Sequence, residues 1–282
     1  MRTKTLLAVA ALAAAGITSA MAQSNVYSQN IVGYANIDIK GGNGFYANPF
    51  NHPTNNSGSN IFNLAPLDDA GTVPPGTMNA FYVLTFTGSA FLQTYYENDF
   101  TANNVGAGYA GWAADAVPSA PATPPILNPG TGFIINNVGP HVTNTFLGDV
   151  VPAPGVTNTF PVKGGNTLLG SPAPFVTNST GQAYGLNASI PSPIAALDDG
   201  GLNPNNLFNT FYVIRWTGAG FSSVYYENDF TANNVGAGYA GWAVDAVPSA
   251  PASPPNINIG EGYYFNNVGP SNVWIQYYTN AP

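Results

Sequence analysis

A stretch of 31 residues is written twice in this chain. YYENDFTANNVGAGYAGWAADAVPSAPATPP, Tyr95 to Pro125, returns as YYENDFTANNVGAGYAGWAVDAVPSAPASPP, Tyr225 to Pro255, and differs only at Ala114/Val244 and Thr123/Ser253. Whatever structure one copy adopts the other must adopt too, so a single unrepeated unit is excluded. The same offset of 130 residues aligns Leu67-Asp68-Asp69 with Leu197-Asp198-Asp199 and Ala80-Phe81-Tyr82-Val83 with Thr210-Phe211-Tyr212-Val213. It also aligns Gly130-Thr131-Gly132-Phe133 with Gly260-Glu261-Gly262-Tyr263. Upstream, Lys40-Gly41-Gly42-Asn43 meets Lys163-Gly164-Gly165-Asn166 at an offset of 123, so the first copy carries seven extra residues, which we place in the Asn-rich stretch Asn51 to Asn60. The reading is a first β domain over 23–149, a short stiff linker over 150–157 that contains Pro152 and Pro154, and a second β domain over 158–282.

Within each copy the signals are those of strands. Ile31, Gly33, Ala35, Ile37 and Ile39 alternate with Val32, Tyr34, Asn36, Asp38 and Lys40, a period of two. Ala80 to Thr87 is β-branched and aromatic, and Gly88-Ser89 turns it into Phe91 to Tyr96, which predicts a hairpin repeated at Thr210 to Tyr226. A second hairpin is predicted from Gly132 to Asn136, the turn Asn137 to Pro140, and Val142 to Phe146, with an echo at Gly262 to Tyr278. No stretch beyond the N-terminus shows helical periodicity with a cap and a stop. Short strands and frequent turn residues predict an all-β protein of two tandem β-sandwich-like domains, with a small barrel as the alternative.

Arg2 and Lys4 precede the apolar run Leu6 to Ala15, and Ser19 to Ala22 gives the small-x-small pattern of a signal peptide, residues 1–22, cleaved after Ala22. The run is shorter than the roughly 20 apolar residues a membrane-spanning helix needs, and no transmembrane segment is expected later. The chain is therefore read as bacterial and secreted, periplasmic or at the cell surface. Without the signal it keeps Lys40, Lys163 and Arg215 against 13 acidic residues, which disfavours nucleic acid and anionic membranes as partners. The absence of cysteine excludes disulfides, thiolate catalysis and Cys-ligated zinc. Aromatic residues at 13% and charged residues at 6% oppose the signature of disorder, so the many Gly and Pro belong to turns.

IVGYANIDI at Ile31 to Ile39, the segment Lys40 to Pro49, and NPGTGFIINN at Asn128 to Asn137, with NIGEGYYFNN in the second copy, resemble exported, internally duplicated bacterial proteins of uncharacterised function. Those proteins open with a similar Val-Gly-Tyr strand, and their domains end near a Pro-Gly-Glu-Gly-Phe-like strand. The resemblance implies an all-β exported protein and supplies no activity. Thr131 stands in the first copy where Glu261 stands in the second, so no role is assigned to that Glu on this ground.

Several motifs suggest chemistry. Gly106, Gly108 and Gly111, like Gly236, Gly238 and Gly241, spell G-x-G-x-x-G, but Pro118 and Pro248 follow too soon for the helix that would receive a pyrophosphate, so these are turn glycines. Glu97-Asn98-Asp99 and Glu227-Asn228-Asp229 gather hard oxygen donors at a strand end. This makes Glu97, Asp99, Glu227 and Asp229 candidate metal ligands; no cofactor is required, and calcium is the ion their chemistry suits. Solvated turn capping is the plainer account. Two carboxylates at adjacent strand spacing do not make a glycosidase pair, and His52 and His141 have no counterparts across the copies, so an enzyme is not expected.

Trp112 and Trp242 follow the glycine loops, with Tyr96, Asn98 and Tyr109, and Tyr226, Asn228 and Tyr239, beside them. Exposed, such rings would cover the apolar face of a sugar while the amides bond its hydroxyls; buried, they would be core. The expectation is a non-catalytic exported module binding an extracellular polysaccharide, with calcium assisting. The alternative is a structural envelope or matrix protein that contacts other envelope proteins or associates with itself.

Overall fold

The computed structural model describes residues 32–64, 66–67, 81–97, 111–114, 121–151, 157–162, 165–170, 211–227, 241–244, 251–253, 255, 257–267 and 272–277. Residues 1–22, read above as a signal peptide, lie outside the described residues. Among them, strands dominate. In the first copy these are β1 (Val32–Ile39), β2 (Gly42–Ala47), β3 (Phe81–Phe86), β4 (Phe91–Glu97), β5 (Gly111–Ala113), β6 (Gly132–Asn137) and β7 (Val142–Asp149). The second copy repeats them as β8 (Thr157–Val162), β9 (Gly165–Gly170), β10 (Phe211–Trp216), β11 (Phe221–Glu227), β12 (Gly241–Ala243), β13 (Gly262–Asn267) and β14 (Asn272–Tyr277).

Each copy has a five-stranded antiparallel sheet, in order β2-β6-β3-β4-β5 and β9-β13-β10-β11-β12, and a two-stranded one, β1-β7 and β8-β14. No sheet closes on itself, so the architecture is a sandwich and not the barrel kept as the alternative. No helix among the described residues is long and apolar enough to cross a membrane.

The predicted hairpin is formed: β3 pairs with β4 from Phe81↔Tyr96 to Phe86↔Phe91, and β10 with β11 in the same way. The second predicted hairpin is not. Its two strands exist, but β6 pairs with β2 and β3, whereas β7 crosses to the other layer and pairs with β1 from Val32↔Asp149 to Ile39↔Val142. The turn between them is a corner joining two sheets. Asn137 fixes it, its amide donating to the Pro140 carbonyl at 2.8 Å and its side-chain oxygen accepting from Gly139 N–H at 3.0 Å.

The period of two in β1 is realised as a buried row, Ile37 and Ile39, facing the large sheet, and an exposed row, Val32, Tyr34, Asn36 and Asp38. Between the layers Phe81, Val83, Phe133, Ile135, Phe146 and Trp112 form the first core. The Asn-rich stretch contributes a one-turn helix that the sequence did not announce, α1 (Gly58–Ile61), capped by Ser57. Amides hold this segment, Asn48 donating to the Leu127 carbonyl at 2.9 Å and Asn56 accepting from His52 N–H at 2.8 Å. Its product is Phe62, which meets Phe81, Phe133 and Phe146 edge-on with centroids 5.9, 5.9 and 6.1 Å away. The second core repeats the pattern with Val213, Trp242, Tyr263 and Phe265.

The copies meet through reciprocal contacts. Ala47 N–H donates to the Gly260 carbonyl at 2.9 Å, and its counterpart Gly170 N–H donates to the Gly130 carbonyl at 3.1 Å. Tyr46 is bridged to Glu261 just as Leu169 is to Thr131. Such reciprocity, residue i on j′ and i′ on j, marks a local pseudo-two-fold relation. Glycine permits it, because a Cβ on Gly132 would strike the Leu169 carbonyl and one on Gly262 the Tyr46 carbonyl. Phe45 adds ring contacts to Phe221 and Tyr264, at 5.6 and 5.1 Å between centroids.

Candidate functional site

The proposed sugar platform does not present its tryptophans. Trp112, on β5, is 6% exposed and Trp242, on β12, is 5% exposed. The Trp112 ring is wedged edge-on against Phe81 and Tyr96, at 6.2 and 5.4 Å, and its Nε1 donates to Ser59 Oγ at 2.9 Å. Trp242 meets Tyr226 at 5.3 Å in the same manner, and Tyr226 is itself buried. A ring so covered has no face to offer a pyranose, so both tryptophans are reassigned to the core. The physical reason is that β5 and β12 lie at the sheet edge with the ring turned inward, where its area closes the end of the sandwich.

Tyr96 is half-buried on β4. Glu97 and Glu227 end β4 and β11, opposite Gly111 and Gly241. Tyr109, Asn98, Asp99, Tyr239, Asn228 and Asp229, which carry the rest of the platform and half of the calcium candidate, lie outside the described residues. His141 pairs with Asp38 on the exposed face of the β1–β7 ladder, and His52 accepts from Thr54 N–H at 3.3 Å.

The structure brings together a different set. Where the tip of the β10–β11 hairpin rests against β1 and β2 there is a cleft of about 600 Å³. One wall carries Asn36, Asp38, Lys40, Asn43 and Tyr46; the other carries Arg215, Trp216, Ser222, Asn258 and Glu261. Arg215 on β10 and Glu261 at the start of β13 form a two-pronged pair, Nε to Oε1 at 2.5 Å and a terminal nitrogen to Oε2 at 2.8 Å. Glu261 Oε2 also accepts from the Asn258 backbone N–H at 3.0 Å and from its amide at 2.8 Å. The pair is only 29% and 13% exposed, and this geometry satisfies the charge of each group.

Lys40 follows β1 and reaches across the cleft, its Nζ lying 3.3 Å from where a Cβ on Gly218 would stand. The ion pairs formed among the described residues are Asp38–His141 and Arg215–Glu261, so Lys40 carries its charge there without a carboxylate partner. Tyr46 OH accepts from the Lys40 backbone N–H at 3.1 Å. Burial raises the Tyr46 hydroxyl above its usual range, the bond from Lys40 opposes this, and the charge of Asp38 adds to the rise. Trp216 is partly exposed and braced by Phe221, centroids 5.0 Å apart.

A smaller cleft of about 460 Å³ has the pseudo-symmetric setting, with the β3–β4 hairpin tip against β9. Asn166 there answers Asn43, Phe86 answers Trp216, and Gly88 answers Gly218. Its lining, which includes Ser89, Phe91, Tyr212, Ile214 and Tyr264, carries no charge among the described residues.

Sequence reasoning passed over the larger cleft because its residues come from opposite ends of the chain. One signal was present: at the 130-residue offset Thr85 and Thr131 are both replaced by a charged residue, Arg215 and Glu261, and a joint change of opposite sign at two positions is what a facing pair would leave. No protein-family model matches this chain, and neither does any curated protein or any solved structure with which it was compared.

Proposed function

We propose that the protein is a non-catalytic, exported binding module that takes saccharide-like ligands in the clefts between its two copies. The observation that supports this is the composition of the larger cleft: a partly exposed Trp216 beside the amides of Asn36, Asn43 and Asn258 and the charged side chains of Asp38, Lys40, Arg215 and Glu261. A tryptophan covers the apolar C–H face of a sugar ring, and amides and charges bond its hydroxyls, each at the donor or acceptor position the ring presents. The volume falls within the range of about 300–1,000 Å³ usual for ligand sites. A glycan array with the mature protein and its Trp216→Ala variant tests the proposal: retention lost with Trp216 supports it, and retention of no glycan overturns it.

Calcium is carried in this proposal by the oxygen donors Glu97, Asp99, Glu227 and Asp229. An occupied site stabilises the folded state by RT ln(1 + [L]/Kd), about 2.7 kcal/mol at a hundredfold excess over Kd. Thermal unfolding in calcium and then in chelator should show a rise that disappears when the four carboxylates are changed to amides. An unchanged Tm removes calcium from the proposal.

A second reading, self-association as an envelope or matrix protein, is favoured by one specific feature. On the outer face of the β1–β7 ladder Val32, Tyr34 and Leu147 are 66, 74 and 52% exposed, and Tyr34 stands directly opposite Leu147 in the register. An apolar row on a two-stranded sheet invites a covering partner. Sedimentation velocity across a wide concentration range tests it, and a monomer throughout removes it.

A further inference from the structure

We infer that the larger cleft selects a saccharide bearing a carboxylate, a uronic acid, through the ammonium group of Lys40. The inference rests on the glycan reading above and narrows it to a substrate class.

Among the described residues, four charged ones line the cleft: Asp38, Lys40, Arg215 and Glu261. Three of them already have partners. Arg215 and Glu261 neutralise each other through two short bonds, Asn258 supplies two more donors to the same carboxylate, and Asp38 is engaged by His141. Lys40 is the charged side chain of this lining without a bonded partner among the described residues, and its ammonium group reaches from the end of β1 to the β10–β11 turn, beside Gly218. A neutral sugar entering there replaces the water on the ammonium group with hydroxyl acceptors of similar strength, whereas a carboxylate forms a stronger bond, charged on both sides.

The rest of the lining is arranged for the body of a sugar ring. Trp216 offers an apolar surface, and Asn36, Asn43 and Asn258 offer donors and acceptors. Glu261 is held by four hydrogen bonds from Arg215 and Asn258, so it does not repel an incoming anion as a free carboxylate would. The smaller cleft serves as an internal comparison. It has the same hairpin-on-edge-strand setting but a lining of Phe86, Phe91, Tyr212, Tyr264 and neutral polar groups, which fits an uncharged ring. The two sites left by the duplication are thus unlike, one marked by charge and one by aromatic surface.

Affinity electrophoresis of the mature protein in gels containing polygalacturonate or alginate, beside gels containing neutral galactan or mannan, tests the inference. The expected result is about tenfold tighter retention by the acidic polymers, in line with one hydrogen bond to a charged group. Lys40→Gln should abolish the preference and Lys40→Arg should keep it, with thermal unfolding of each variant verifying the fold. Retention by neutral polymers alone, or equally by both kinds, overturns the inference and leaves the glycan reading standing. Retention by neither kind overturns both. A preference that survives Lys40→Gln overturns the assignment to Lys40.

Discussion

Tyr263 holds the place in the second core that Phe133 holds in the first, and the difference is one oxygen atom. Its hydroxyl is fully buried and has no hydrogen-bond partner among the described residues. An unsatisfied buried polar group costs about 1–3 kcal/mol, so Tyr263→Phe should stabilise the protein by about 1 kcal/mol and raise Tm by about 2–4 °C in a chain of this size. Burial, and then the nearby charge of Glu261, hold the Tyr263 hydroxyl well above its ordinary value of 10.0. A raised folded-state pKa on this group gives stability that is present below pH 10.0 and lost as pH climbs beyond it, because the unfolded chain can ionise there and the folded one cannot. Denaturant titrations from pH 8 to 11 should therefore show a steeper alkaline loss in the parent protein than in Tyr263→Phe. Trp112 illustrates what a single residue hides from the sequence. An indole beside Tyr and Asn reads equally well as a sugar platform or as core, and the Ser59 hydroxyl that holds it inward lies 53 residues away.

At the scale of elements, local signals succeeded where the chain closes on itself within a few residues. Gly88 and Gly218, with φ of 96° and 90°, open two-residue turns that only a residue without a Cβ enters freely, and both hairpins form as read. In each turn the threonine side chain accepts from the residue three positions on, Ala90 or Gly220. Gly218→Ala should cost about 1 kcal/mol or more, since it forces an L side chain into the left-handed region, and it should also weaken ligand retention by moving the wall of the larger cleft. Chemical denaturation and the polysaccharide gels measure the two effects separately. The turn at Asn137 to Pro140 was equally visible, but a turn signal announces a reversal and not which sheet receives the next strand. Ile134 of β6 faces away from the core row Phe133 and Ile135, so the alternation there could not identify a partner.

For the whole molecule, duplication made the all-β sandwich readable twice over, whereas the contact between the copies was not readable at all. It depends on Gly132 and Gly262, which look like ordinary strand-start glycines until the Leu169 and Tyr46 carbonyls are seen against them. Ile37 in the first copy packs against Gly260 in the second, and Ile259 joins the first core, so the two cores are mechanically linked. Calorimetry of residues 23–282 should give one unfolding transition. Gly262→Val, which pushes a branched side chain into the Tyr46 backbone, should lower stability by about 1–3 kcal/mol and split that transition in two.

The reciprocal bonds Ala47 to Gly260 and Gly170 to Gly130 have a kinetic meaning for the nascent chain. Each of these two donors finds its acceptor on the other copy, and nothing in that pairing records whether the two copies share a backbone. The first copy of one chain fits the second copy of another as well as its own, and the choice between a closed monomer and an exchanged, growing assembly rests on effective concentration. A short covalent tether supplies a local concentration on the order of millimolar. Below that level of free protein the chain closes on itself; where crowding brings the protein near it, the same contacts join neighbours.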